Sequence, residues 1–537
     1  MKIFKIVFLS ILFTILMAPD SQGEERVADS TDLVSLFREF REFTKPNSIE
    51  IGVPDYTAAA MQKQWQELKT YQKRLSAIDT SDWPISQKVD YQIVRAEMNA
   101  VEFNHRVLRP WSKDPGFYSV IPRFEQNMYG AIIIPKLPLS EDKIDDFQVK
   151  LRAIPKVLEQ AKENLTEAAS DLAILAIKRN EKDSNKFRNL IEKLSSFHSD
   201  LVPDAKNALA AMNDFRAWLE HNLNKMTAPA GVGIDNYNWY LKNVQLVPYT
   251  WEEAMVLVQR EYEQAMAVLH LEKNRNRKIP QLKPASSARE YIQRFNDSQE
   301  FLLNFLKKEK ILTVPDYLVL NPMDSFKVPK KPYDFFQQCM MRDPLALMPH
   351  DFIGHSLDAK RHERDSRPIR AIEFHIYDRR YQFIDAFRNE GLATAVEEIL
   401  MHAGMLDQRP RTREITCMLR IFRAVRAIAD LKMHNNQLSF KEAAEFCAEK
   451  TPYGWSRADS DLIWGDLELY LCQPAYGIGY TIGKIQIEKL VADQAAQLGD
   501  DFILSQFMDE FLAAGQIPIS LTRWEMTGLE DETKKLW

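Results

Sequence analysis

Glycine is scarce in this chain, 17 of 537 residues, about 3% where roughly 7% is usual. Sheet proteins need glycine at their many tight turns, so the shortage excludes a body of many short strands and points to helix. Cysteine is scarcer: Cys339, Cys417, Cys447 and Cys472 lie far apart with no CxxC pair, which excludes a thiolate zinc site. They are either buried free thiols or, in an oxidising compartment, disulfide partners. A basic excess is also missing. Seventy Lys and Arg face 76 Asp and Glu, a net charge of −6, so a phosphate backbone finds little attraction and nucleic acid is not expected as a partner. What the chain does have, 45% apolar and 27% charged residues, is the composition of a large folded soluble body.

The one apolar stretch, Ile6 to Met17, is shorter than the roughly 20 residues a membrane span needs. With Lys2 and Lys5 before it and Ser21-Gln22-Gly23 after it, residues 1–23 read as an export signal cleaved after Gly23. The alternative is an uncleaved N-terminal anchor. No cysteine follows the stretch, so a lipoprotein is not indicated. The mature chain, 68 basic against 75 acidic residues, is expected outside the cytoplasm, periplasmic or secreted, with no membrane contact beyond the signal.

Trp65, Leu68, Tyr71, Leu75 and Ile78 recur at spacings of three and four, the stripe of an amphipathic helix. Ile144 to Ile177 carries a second periodic stretch, with Pro155 kinking it or starting a helix. Thr250-Trp251-Glu252-Glu253 matches a capping box for a helix reaching about Leu271. Two segments break the pattern. Ser119 to Leu139, with Ile132-Ile133-Ile134, and Ile311 to Pro329, with Tyr317-Leu318-Val319-Leu320, are expected to hold short strands. A soft boundary near residue 330 divides an N-terminal helical region, 24–330, from a C-terminal one, 331–537, the two packing as one continuous helical body.

Five of the ten histidines fall between His350 and His402, beside Asp351, Glu390, Glu397 and Glu398. The sharpest piece is Pro349-His350-Asp351-Phe352-Ile353-Gly354-His355, a distorted form of the His-Glu-x-x-His helix of zinc peptidases. There the histidines sit at i and i+4, about 40° apart on a helix. Here the interval is five, which puts His350 and His355 about 140° apart on an undistorted helix. Gly354 would have to break the helix between them; otherwise one histidine ends a helix and the other is core. Glu390 and Glu397, seven apart, project from one side of a helix lined by Leu392, Ala393 and Val396. A carboxylate on an apolar face needs a partner, either a metal or a salt bridge to Arg420, Arg423 or Arg426, which recur every three residues downstream.

Glu390-Gly391 with Glu397, then Arg423-Ala424-Val425-Arg426 with Asp430 and His434, then Pro474 through Tyr480 to Gly483, then Phe507, Asp509, Gly515 and Pro518 follow in order. Together, from about residue 330 to 525, they resemble the C-terminal half of the bacterial domain-of-unknown-function 885 family. Upstream the resemblance rests on Gly233 with Tyr237 and on the helix beginning at Thr250. That family is similar to the gluzincin metallopeptidases, with a His-Glu-x-x-Pro-Gly-His segment followed by Glu-Gly-Trp. The resemblance implies a mainly α fold, a large multi-helix gluzincin-like body with a few short strands. It also implies zinc held by His350, His355 and Glu390, with Glu397, Asp430 and His434 behind the ligands to orient them.

Departures fall where the chemistry is expected. Aligned on Gly354-His355, the family's His-Glu becomes Pro349-His350, or His350-Asp351 with one deletion. Its Trp becomes Leu392, the Gln before its Tyr becomes Tyr476, and the His of its Phe-His-Asp becomes Met508. On the active reading zinc activates water for attack on a peptide or small amide, and Asp351 accepts the water proton. Tyr480 then hydrogen-bonds the oxyanion and Arg423 or Arg426 binds a substrate carboxylate. The alternative is a catalytically inactive family member that binds peptides or a protein partner.

Overall fold

Local signals for helix are realised where the chain supplies both a cap and a stripe. The computed structural model describes residues 30–122, 131–371 and 386–537; the expected export signal lies outside them. It is 71% helix and 2% strand. The Thr250 hydroxyl accepts from the Glu253 N–H while the Glu253 carboxylate accepts from the Thr250 N–H, so the capping box forms. The stripe around Leu68 lies on Ala58–Ser76, whose Leu68 and Leu75 are buried. The helices that organise the body are numbered here in chain order. α1 (Glu141–Asn164) passes uninterrupted through Pro155, and both it and α2 (Ser170–Phe197) pack on α3 (Val202–Asn222). These three surround a core drawn entirely from residues between 53 and 226.

Among the described residues the expected strands do not form; residues 123–130 of the first segment lie outside them. Residues 131–139 and 311–329 are irregular, and the strands among the described residues are Ser48–Glu50 and Val53–Pro54, an antiparallel pair. The reason is visible in the second segment. Backbone groups that a ladder would satisfy are met by side chains of the helix Ala288–Glu309: Asn296 both donates to the Met323 carbonyl and accepts from its N–H, and Gln299 donates to the Asn321 carbonyl. The regions on either side of residue 330 share one core. The largest core cluster joins Leu33, Val101 and Leu302 to Leu392, Ile482 and Leu521.

Four helices meet at the centre: α4 (Trp251–Arg275), α5 (Ala386–His402), α6 (Pro410–His434) and, after α7 (Asp461–Cys472), α8 (Tyr476–Leu498). α5 and α6 are buried on nearly every side, so their charges must pair inside the protein. Lys484 donates to Glu261 at 2.9 Å and to Glu398 at 2.7 Å, and Arg420 pairs with the same two carboxylates. Burial alone would raise Glu261; Lys484 and Arg420 outweigh it and hold that carboxyl at about 2. Glycine matters where α5 crosses α8: a Cβ on Gly391 would lie 2.6 Å from the Gly483 backbone, and one on Gly483 would lie 2.1 Å from the Phe387 carbonyl. The four cysteines are buried and free.

Candidate metal centre

The segment that carries both histidines is neither an α-helix nor a broken one. His350–Leu357 is a π-helix, in which residues five apart take the stacked relation that i and i+4 have in an α-helix. The expectation that Gly354 breaks the helix is corrected accordingly. Pro349 removes one donor from the turn leading in, and Gly354 lets the widened turn press on α5, where an added Cβ would lie 2.3 Å from the Ala393 Cα.

The Nε2 atoms of His350 and His355 are 3.2 Å apart, and each is 3.7 Å from the Glu390 Oε2. Tetrahedral zinc with bonds near 2.0–2.2 Å holds neighbouring ligand atoms about 3.3–3.6 Å apart, so the triangle has close to the edge lengths such an ion requires. Glu390 Oε2 is buried and accepts no hydrogen bond, whereas Oε1 accepts the Tyr476 hydroxyl at 2.6 Å. One oxygen is thereby fixed while the other faces the imidazoles. The side chains of His350 and Glu390 are 12% and 11% exposed and that of His355 is 39% exposed, so the open side lies at His355. Desolvation lowers the His355 pKa, favouring the neutral ring a metal needs.

Of the arginine partners considered for the two glutamates, Arg423 goes to Glu397 and none goes to Glu390. Arg423 donates through both terminal nitrogens to Glu397 at 2.7 Å, and Glu397 Oε1 lies 3.2 Å from His350 Nδ1. Burial would raise Glu397; Arg423 and His350 outweigh it and keep it ionised. An Nδ1–H donated to that carboxylate leaves the Nε2 lone pair pointing at Glu390 and His355, the tautomer of a metal-binding imidazole. With its end-on fork occupied by Glu397, Arg423 is not placed to grip a substrate carboxylate bidentately. Arg426 donates to Asp466 at 2.6 Å.

Asp351 is exposed at the rim and makes no hydrogen bond through its carboxylate among the described residues. Desolvation by neighbouring atoms raises its pKa against the pull of His350 and His355. Tyr480 meets Tyr476 edge-on with ring centroids 6.0 Å apart, and burial together with Glu390 lifts its hydroxyl well above the ordinary tyrosine value, leaving it a neutral donor. Asp430 and His434 touch none of the three ligand residues. Asp430 accepts the Ile478 N–H at the start of α8, and burial raises it to about 8. His434, lowered by burial to about 4, bonds the Tyr470 carbonyl and packs on Tyr237, while its own carbonyl accepts from Gly233 at φ +81°. Their part is to fix where α8 begins, and so to fix Tyr476 and Tyr480.

Two participants carry no motif signal. Tyr476 stands where the family has Gln, and its hydroxyl reaches Glu390 directly. Asp466 lies on α7 among Ile463, Leu467 and Leu469, one of three acidic residues on that helix with Asp461 and Glu468, so nothing in the sequence singled it out. The other departures are core: Leu392 and Met508 are buried hydrophobics.

The sequence pattern described as "Bacterial protein of unknown function (DUF885)" matches residues 48–311 and 371–526. This chain belongs to that family. The match omits the stretch holding His350 and His355 and includes Glu390. Two solved structures are similar throughout. One, from Shewanella oneidensis, is described as a "putative lipoprotein of unknown function": 13% identity, TM-score 0.72, covering 93% of this chain and 100% of the other. The second, described as a "putative lipoprotein" from Colwellia psychrerythraea, has 16% identity and a TM-score of 0.68 over 92% and 98%. At these identities the likeness establishes the shared fold. No curated protein matches the sequence.

Proposed function

We propose that this family member is an exported, zinc-dependent hydrolase of peptide or small amide bonds, gluzincin-like in its site. The observation that carries the reading is the His350–His355–Glu390 triangle, with an unpartnered buried carboxylate oxygen directed at two imidazole nitrogens. Two histidines and a glutamate are a catalytic zinc set that leaves a fourth position open. His350, His355 and Glu390 would hold the zinc ion, which would supply Lewis acidity for activating water and polarising a carbonyl. Asp351, raised in pKa and free of other hydrogen bonds, takes the water proton. The Tyr480 hydroxyl donates to the developing oxyanion. Glu397 holds His350 in the required tautomer, with Arg423 keeping Glu397 ionised.

A second reading, a non-catalytic member that keeps the cleft to bind peptides or a partner protein, draws support from Asp351 itself. Its carboxylate is one methylene shorter than glutamate and nothing fixes its direction. Export is supported by the leader-like residues 1–23 and by the lipoprotein descriptions of both similar structures. The first cysteine here is Cys339, so the leader is followed by no acylation site. No helix among the described residues is long and apolar enough to cross a membrane.

Elemental analysis of purified protein should give close to one zinc per chain, lost in His355→Ala and Glu390→Ala, and the zinc-loaded protein should cleave members of a peptide library. Metal-free protein whose stability ignores both zinc and chelator would reject the metal site. Stoichiometric zinc without any product would favour the binding protein. Fractionation should recover a chain beginning near Glu24 outside the cytoplasm; full-length cytosolic protein would reject export.

A further inference from the structure

Arg426 follows Arg423 by three residues on α6 and is fully buried. Its guanidinium carbon lies 4.3 Å from the Phe422 ring, 5.1 Å from Tyr480 and 5.8 Å from Phe336, so aromatic rings hold its plane. One terminal nitrogen, Nη1, donates to Asp466. The other two nitrogens, Nε and Nη2, have no hydrogen-bond partner. These belong to one edge of the guanidinium, where two N–H bonds run parallel at the spacing of a carboxylate's two oxygens. A buried donor without a partner is costly, and here two lie side by side.

The edge is also in a meaningful place. Tyr480, beside Arg426, packs on Tyr476, whose hydroxyl holds Glu390. Arg423, one turn back along α6, holds Glu397 and approaches His350. Arg426 therefore stands one helical turn from Arg423, which contacts His350, and against the ring of the tyrosine assigned to the oxyanion.

We propose that the substrate of this site carries a free carboxylate next to the bond that is cut, and that the Nε/Nη2 edge of Arg426 receives it. The inference rests on the hydrolase reading for its chemistry and gives that reading a substrate class: peptides cut at their C-terminal residue, or N-acyl amino acids. In the reaction the water oxygen bonds to the carbonyl carbon and the C–N bond breaks. The proton taken by Asp351 passes to the leaving amine, and the amino acid released is the one whose carboxylate sits on Arg426. A free C-terminus is a planar anion with two oxygens, which the fork suits better than a lone neutral carbonyl.

The test uses full-length zinc-supplemented protein and N-acetyl-Gly-Xaa dipeptides with Xaa = Ala, Phe, Asp or Lys, each as the free acid and as the C-terminal amide. Product release and equilibrium binding are both measured. At least one free acid should be cleaved with kcat/KM about 10–100-fold above its amide, the range expected for losing a charge-assisted fork. Arg426→Lys, which keeps a cation against Asp466 and leaves the zinc content unchanged, should erase that preference. Equal cleavage of acids and amides, or a preference that survives Arg426→Lys, overturns the proposal while leaving the hydrolase standing. If nothing is cleaved the hydrolase reading fails, and binding decides this one. Tighter binding of an acid than its amide, lost in Arg426→Lys, upholds the carboxylate site. Equal or undetectable binding of every pair at millimolar concentration overturns it.

Discussion

His350 and His355 bring their Nε2 atoms to 3.2 Å across an interval of five residues, and they do so because the turn between them is π-helical. Rewound as α-helix, the same segment would turn His355 about 140° away from His350. The candidate metal centre thus depends on a backbone conformation, and that conformation rests on Gly354 against Ala393.

Gly354→Ala tests this dependence. The new Cβ meets the Ala393 backbone, so the segment must lift off α5. Stability should fall by about 1–3 kcal/mol, and bound zinc should be lost on dialysis. Gly465→Ala, where a Cβ meets nothing within 4 Å, should retain metal. Urea midpoints and metal content of the two variants make the comparison.

Glu397→Gln removes the counter-charge of a buried arginine and the acceptor of His350 together. Breaking such a pair should cost about 3–5 kcal/mol. If Glu397 orients His350, zinc affinity of the folded variant should also drop about 10–100-fold. Wild-type affinity in folded Glu397→Gln would leave Glu397 as a structural ion pair alone.

Asp351→Asn should leave fold and zinc intact and lower hydrolysis by about 10² or more, since a neutral amide does not accept the water proton. Asp351→Glu should retain or raise activity by restoring the longer reach. Steady-state rates beside metal content decide the matter; an Asn variant as active as wild type removes Asp351 from the reaction.

His105 gives a pH dependence far from the centre. It is buried, bonds Gln64 at 3.0 Å, and desolvation with Lys69 lowers it to about 4. Its folded pKa lies below the unfolded value near 6.5, so the unfolded chain binds the extra proton. The stability it confers is complete above about pH 6.5 and is lost as pH falls toward 4. The drop in urea midpoint between pH 7 and pH 4.5 should therefore be smaller in His105→Gln than in wild type.

What the sequence discloses here is unequal in kind. Helix was legible from the dearth of glycine and from caps such as Thr250 with Glu253, because these are local properties of the chain. Glu390 and the two histidines were legible as metal-capable residues, and the seven-residue spacing of Glu390 and Glu397 does place both beside His350, one near each ring nitrogen. The π turn was not legible, since helical-wheel reasoning presumes one pitch and the wider pitch is stabilised by packing on α5. The strands expected at 311–329 failed because side chains of a neighbouring helix satisfied that backbone, a contact between elements that no window of sequence contains. Tyr476 and Asp466 were missed for a similar reason: each acts through a partner on another helix.

The buried set formed by Glu261, Arg420, Glu398 and Lys484 takes one member from each of the four central helices. Its two acids balance its two bases only when all four helices are docked at the correct height. Sliding α8 by a single turn, about 5.4 Å, would carry Lys484 away from Glu261 and Glu398 and leave Arg420 alone between two buried carboxylates, a penalty that hydrophobic contacts alone would not impose. The quartet therefore works as an axial register key, making assembly of the bundle all-or-none and keeping Tyr476, on the same helix as Lys484, level with Glu390.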